Sequence, residues 1–136
     1  MSSETSVKCT LSNNKYLTSV NGEKHKFNVD EPFEYGGDDT APKPTEYLLG
    51  ALGACTAITM KMYAERKEWK IGEINVSVDL LKGNNSDGNV IIKYVSFQEK
   101  LNNEKIDRLL KIGEKCPVSK MLAHPVKMKL ISKKIN

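Results

Sequence analysis

The residues of this chain best suited to chemistry are its three cysteines, Cys9, Cys55 and Cys116. Cys55 sits in the apolar run LLGALGACTAITM, and Cys116 sits in KCPVSKML, directly before Pro117. Two thiols that meet can form a redox centre: Cys55 would attack an oxidant, and Cys116 would attack the resulting sulfenic acid to close a disulfide. Their separation in sequence means that only the fold can join them. Two buried cysteines that never meet are the reading that composition alone favours, because free cysteine is among the most buried residue types. Cys9 lies within a strand-like segment and reads as a filler there.

The surroundings of the two thiols differ. Pro117 suits the first position of a helical turn, which puts Cys116 where a cap would sit, facing unpaired N–H groups and the positive helix end; both favour thiolate over thiol. A thiolate also wants a fixed cation, and the chain has two arginines, Arg66 and Arg108. Arg66 follows Cys55 by eleven residues, which on an α-helix returns to within about 20° of the same face but roughly 16 Å further along. It could reach a thiol only across a subunit boundary or through the fold, and otherwise is a solvated helix end within ERKEW. Metal chemistry has little support: there is no C-x-x-C or H-x-x-x-H, and His25 and His124 stand in unrelated contexts. His124, before a proline, reads as a turn residue rather than the base of a Cys–His pair. Met60, Met62, Met121 and Met128 suit packing, or a pocket for an oily ligand.

The elements that must position these groups follow from patterning. With 136 residues and 39% hydrophobic content, the chain can bury one ordinary core, so a single domain over 1–136 is expected. A net charge of +4 reflects scattered lysines, and no basic stripe marks a nucleic-acid surface. The N-terminal MSSETSVKCTLS lacks an apolar signal core, and Gly50, Gly53, Thr56 and Thr59 interrupt the longest apolar run. A soluble, cytoplasmic protein with no membrane span is the expectation.

From Val7 to Val29, short alternating runs separated by Asn13-Asn14 and Asn21-Gly22 predict a three-stranded antiparallel meander, with Asn-Gly as a hairpin turn of positive φ. The Pro/Gly-rich, acidic stretch Asp30 to Glu46 is a long irregular loop, and loops of that length in compact domains tend to be functional. A central helix is predicted from about Thr45 to Lys67, with Pro44 in its first turn and Thr45 or Thr40 as cap. Its apolar residues go nearly all the way round, predicting burial on most sides, and in so small a domain that implies a homodimer. Strands follow at IGEINVSVDLLKG and NVIIKYVSFQEKL, joined by the turn Gly83 to Gly88, and then a helix from Asn103 to Lys115 with the stripe Ile106, Leu109, Leu110 and Ile112. The chain closes on a predicted strand, Pro125 to Ile131, with Lys133-Lys134 blunting its edge.

GGDDTAPKPTEYLLGALGACTAIT, followed after two strands and a helix by EKCPVSKML, resembles the OsmC/Ohr family of osmotically inducible and organic hydroperoxide resistance proteins, from about Gly36 to the C-terminus. The resemblance implies an α+β fold in which two chains intertwine, with antiparallel sheets wrapped around paired central helices. It implies Cys55 as the peroxidatic and Cys116 as the resolving cysteine at a dimer interface, organic hydroperoxides as substrates, a dithiol reductant, and no metal or organic cofactor. The family's peroxidases pair a glutamate ten residues before the first cysteine with an arginine. Here that position is Thr45, while Glu46, nine before Cys55, faces away from it on a regular helix, and no arginine precedes Arg66. The resemblance is therefore to a branch marked by GG…P-x-P-x-E…LGAC-T and Y-A-x-R-K-x-W. Either Lys24, His25, Lys43 or a subunit-crossing Arg66 replaces the clamp, or Cys55 is a sluggish peroxidase. The alternative is a non-catalytic or weakly active protein that binds an apolar small molecule at the dimer interface.

Overall fold

The computed structural model describes residues 5–84 and 88–133, which fall into two compact units, Met1–Gly50 and Ala51–Asn136. In the first unit, β1 (Lys8–Leu11), β2 (Thr18–Asn21) and β3 (Lys26–Val29) form the expected antiparallel meander. Cys9 stands opposite Val20, and Val20 opposite Phe27. The second turn differs from expectation: neither Asn21 nor Gly22 has positive φ. Asn21 ends β2, and four residues close the hairpin, with the Gly22 N–H donating to the His25 carbonyl at 2.8 Å. The left-handed residue of this unit's first turn is Lys15, φ 49°. Cys9 is exposed rather than a core filler, because all of β1 is exposed in the single chain.

The acidic loop is ordered by Asp30, which is 2% exposed. Its carboxylate accepts from the Thr40 hydroxyl at 2.6 Å and from the backbone N–H groups of Thr40 and Glu31. The Thr40 hydroxyl bond foremost, with the N–H donors, holds the Asp30 carboxyl below its ordinary range. One 3-10 turn, Phe33–Tyr35, interrupts the irregular stretch and ends on Gly36 at φ 89°.

The central helix α1 runs Pro44–Arg66 with Pro44 in its first position. Thr40 is engaged by Asp30 and Thr45 is exposed, so neither caps it. Glu46 does so instead, reaching back to the Lys43 N–H at 3.3 Å as the return half of a capping box. The far end closes as a Schellman motif: the Trp69 N–H reaches the Ala64 carbonyl, the Glu68 N–H reaches that of Glu65, and Glu68 takes φ 58°.

In the second unit, β4 (Ile74–Leu81) pairs antiparallel with β5 (Val90–Phe97), Val78 opposite Lys93. Ile74, Val76, Val78 and Leu80 take the more buried face, as their alternation predicts. Helix α2 (Asn103–Gly113) is capped by the Asn102 side chain on the Lys105 N–H. Met60, Tyr63 and Ala64 of α1 form the core with Ile71 and Leu109, flanked by Val76, Val95, Phe97 and Ile112. Gly113 lets α2 lie against α1, since a Cβ there would meet Met60 and Thr56 at 3.2 Å.

Two expectations are corrected. First, α1 is buried on one face only: Leu52, Gly53, Thr56, Met60, Tyr63 and Ala64 are buried, while Ile58 and Met62 are 54% and 62% exposed. One two-stranded sheet and one helix cannot surround it. Second, Pro125 to Ile131 forms no strand; residues 125–133 have no regular structure, and Met128 and Leu130 are fully open. The alternation is present, but among the described residues no strand pairs with it, so Lys133 has no strand edge there to blunt. Lys134, and Asn85 to Asp87 of the expected turn, lie outside the described residues.

Candidate active site at the paired thiols

The short helix α3 (Pro117–Ala123) starts where Cys116-Pro117 predicts, with Pro117 in its first turn and Cys116 as N-cap. The Cys116 carbonyl accepts from the Lys120 N–H, and its Sγ accepts from the Ser119 N–H at 3.3 Å. The side-chain bond is the one an N-cap serine would make, with sulfur in place of oxygen. Cys116 has no exposed surface.

The fold brings Cys55 to this helix start. Its neighbour Thr56 lies 3.7 Å from Cys116 Sγ, and the Cys116 side chain and the Val118 N–H are near enough to shift the Cys55 thiol. Cys55 remains partly exposed, so a molecule from solvent meets it first. Two threonines fix the helix around it: Thr56 donates to the Leu52 carbonyl at 2.9 Å and Thr59 to the Cys55 carbonyl at 2.7 Å.

Three residues that sequence reasoning missed complete the site. Ser119 Oγ lies 3.0 Å from Cys116 Sγ, and Thr56 Oγ1 lies 3.7 Å from it. Behind both hydroxyls, the Lys93 ammonium donates to Ser119 Oγ at 2.9 Å and to Thr56 Oγ1 at 3.1 Å. The signal was the imperfect alternation of β5: Lys93 shares the face of Val95 and Phe97, which pack on the core. A lysine in that register has to find partners, and polar groups of α1 and α3 supply them.

The electrostatics divide the two thiols. Burial raises the Cys55 thiol, and the Cys116 sulfur beside it raises it further, against the Val118 N–H. Burial also acts to raise Cys116, but the Ser119 hydroxyl and N–H, with the Thr56 and Cys55 side chains, outweigh it and bring the group from 9.0 down to about 7. Cys116 is therefore the better thiolate, and Cys55 the more accessible sulfur.

The other expected site residues have surroundings of their own. Glu46 is spent on the cap of α1, and Thr45 is exposed. Arg66 does not approach Cys55 within the chain: its guanidinium lies 5.6 Å from the Tyr63 ring centroid, and Arg108 Nε donates to the Tyr63 hydroxyl at 2.9 Å. Both arginines thus gather on Tyr63, whose hydroxyl is lowered chiefly by the Arg108 bond. Lys24 and His25 are exposed in the turn after β2, and His124 ends α3. Among the described residues no group of His, Cys, Asp and Glu could hold a metal ion, and no helix is long and apolar enough to cross a membrane.

The sequence profile of the OsmC-like protein family matches residues 36–131, a span that includes both cysteines and Lys93. A comparison with curated protein sequences found no match. Among solved structures, the fold is similar to that of a Psychrobacter arcticus protein assigned to osmotic stress and detoxification response (TM-score 0.75, 21% identity, 92% of each chain). It is also similar to an OsmC-like protein of Mycoplasma pneumoniae (TM-score 0.69, 17% identity, 90% of this chain and 89% of that one). The organic hydroperoxide resistance protein OhrB of Bacillus subtilis is a third (TM-score 0.59, 22% identity, 86% and 88%). The mixed helix and antiparallel-sheet architecture is that of the OsmC/Ohr fold.

Proposed function

The chain belongs to the OsmC-like protein family, and from that membership we propose that it is a thiol-dependent peroxidase that reduces organic hydroperoxides through Cys55 and Cys116, in defence against oxidative stress. The observation that carries this reading is the contact of two cysteines remote in sequence, one accessible and one held towards thiolate. Organic hydroperoxide resistance proteins among the similar folds favour the substrate class. Cys55 loses its proton and attacks the terminal oxygen of the hydroperoxide; the O–O bond breaks, the alkoxide takes a proton and leaves as alcohol, and Cys55 becomes a sulfenic acid. The Cys116 thiolate then attacks that sulfur, the S–O bond breaks, and the leaving hydroxide takes a proton to form water. A dithiol reductant returns the disulfide to two thiols. The protein acts as a homodimer in which a second copy covers the open face of α1, and its three cysteines, too few and odd in number for a secreted disulfide framework, suit a reducing, cytoplasmic setting. After one equivalent of cumene hydroperoxide, mass spectrometry is expected to find a Cys55–Cys116 disulfide, and in Cys116→Ser a lasting Cys55 sulfenic acid. Intact free thiols at both positions overturn the reading.

A second reading is favoured by the open, shallow groove of about 570 Å³ with Ala57, Ile58, Met62 and Ile74 on its floor and Lys61, Glu65 and Glu73 also lining it. A protein that binds an apolar small molecule there would copurify with lipid or fatty acid and bind unchanged in Cys55→Ser.

A further inference from the structure

We propose that Lys93 is the cation of the thiol centre: a positioning residue that acts on Cys116 through Ser119 and Thr56, making Cys116 the sulfur that closes the disulfide and the one that leaves when the disulfide is reopened. The inference rests on the redox reading above and adds to it a residue and a direction of reduction.

The argument is one of donors and acceptors. A lysine ammonium only donates. Where it donates to Ser119 Oγ at 2.9 Å, it occupies a lone pair of that oxygen and polarises the one O–H that remains. Cys116 Sγ lies 3.0 Å from the same oxygen. As a thiol, Cys116 must donate to an oxygen already receiving a cationic donor; as a thiolate, it accepts the polarised Ser119 O–H and the Ser119 N–H together. Thr56 repeats the arrangement: its oxygen accepts from Lys93 at 3.1 Å, and its one proton turns between the Leu52 carbonyl and Sγ. Lys93 therefore favours the thiolate without touching it, and the positive charge lies one hydroxyl away from the negative one. The titratable groups that face Cys116 are Cys55 from α1 and, across the hydroxyls, Lys93 from β5; α3 contributes only Ser119 O–H and N–H.

Accessibility then sets the direction of turnover. Cys116 has no exposed surface and Cys55 does. A thiolate of the dithiol reductant attacks the Cys55 sulfur, the S–S bond breaks, and Cys116 departs as thiolate into the Ser119 and Thr56 donors. A stabilised leaving thiolate departs faster. The second thiol of the reductant then attacks the mixed disulfide on Cys55 and releases it with the proton it needs.

The test reads Cys116 directly and requires no hydroperoxide. In a Cys9→Ser/Cys55→Ser background, ultraviolet thiolate absorbance is followed against pH for the parent, Lys93→Met, Lys93→Arg and Ser119→Ala, each checked for native circular dichroism. Lys93→Met and Ser119→Ala are expected to raise the midpoint by about one pH unit or more, and Lys93→Arg, which also only donates, to restore most of it. A Lys93→Met midpoint equal to the parent's overturns the proposal. In the full chain, Lys93→Met should prolong the Cys55 sulfenic acid about fivefold at pH 7, with closure restored near pH 9; slow closure that high pH does not restore marks a merely structural effect and also overturns it. If the midpoint shifts but hydroperoxide never forms the disulfide, the Lys93 assignment to Cys116 stands and the peroxidase reading fails.

Discussion

At the scale of single residues, the site separates two properties that one nucleophile would combine. Cys55 is accessible yet raised by burial; Cys116 is enclosed yet lowered to about 7. The sign of the pH dependence follows. Between about 7 and 9.0, folded Cys116 is thiolate while unfolded Cys116 is thiol, so unfolding takes up a proton and stability rises with pH across that window. This contribution is complete above 9.0 and is lost as pH falls through about 7. Raised Cys55 works with the opposite sign at higher pH, where it stays a thiol in the fold while the unfolded chain ionises. Urea unfolding midpoints measured from pH 7 to 9 should therefore climb in the native chain relative to Cys116→Ser; parallel curves for the two would contradict a thiolate at Cys116. The role of Cys116 as cap was legible because Cys-Pro is a local signal. Lys93 was only faintly so: the imperfect alternation of β5 hints at a lysine on the face of Val95 and Phe97, but its partners on α1 and α3 come from the fold alone.

At the scale of elements, what was read correctly depended on local chemistry or regular period. The meander, α1, β4, β5 and α2 all follow from alternation or helical spacing, and α3 from its proline. The errors arose where a pattern needed a partner. Asn21-Gly22 reads as a two-residue turn, but β2 and β3 pair so as to leave four residues between them, and positive φ is not required. The acidic loop is irregular as expected, and its order comes from Asp30 bonding Thr40 ten residues on. Gly37 is held there by a close backbone approach, its N–H donating to the Pro32 carbonyl at 3.1 Å. A Cβ on Gly37 would run into the backbone carbonyl of Glu31, which has no rotamer by which to yield. Gly37→Ala is thus expected to cost about 3 kcal/mol or more, read as a lowered Tm or urea midpoint. Gly50→Ala is the control, since a Cβ there meets nothing within 4 Å and helix propensity favours alanine. Equal stabilities for the two variants would show that the loop moves aside.

At the scale of the whole molecule, the apolar residues running round α1 exceed what its own chain buries, which is the ground for the proposed dimer. A helix buried within one subunit would show its open face covered by its own sheet; here Ile58 and Met62 face outward, and Val126, Met128 and Leu130 alternate with lysines along an unpaired C-terminal segment. Scattered apolar side chains are normal on a surface, but a row on a helix and a strand-like run without a strand are what the proposed interface would cover. The all-round apolar pattern of α1 and the alternation of the final segment both fail as burial within one chain, and the second copy proposed above is the cover that both would need. A charge on the open face separates the two cases. Met62→Glu leaves the core of Met60, Tyr63, Ala64, Ile71 and Leu109 untouched, so a monomer should keep its circular dichroism, yet it would place a carboxylate in a closed interface without a partner. Sedimentation at micromolar concentration is expected to find the native chain as a dimer and Met62→Glu largely as a folded monomer. A native chain that sediments as a monomer removes the dimer; a Met62→Glu variant that still dimerises moves the interface off this face of α1 and onto the C-terminal segment, where Leu130→Glu becomes the variant that dissociates it.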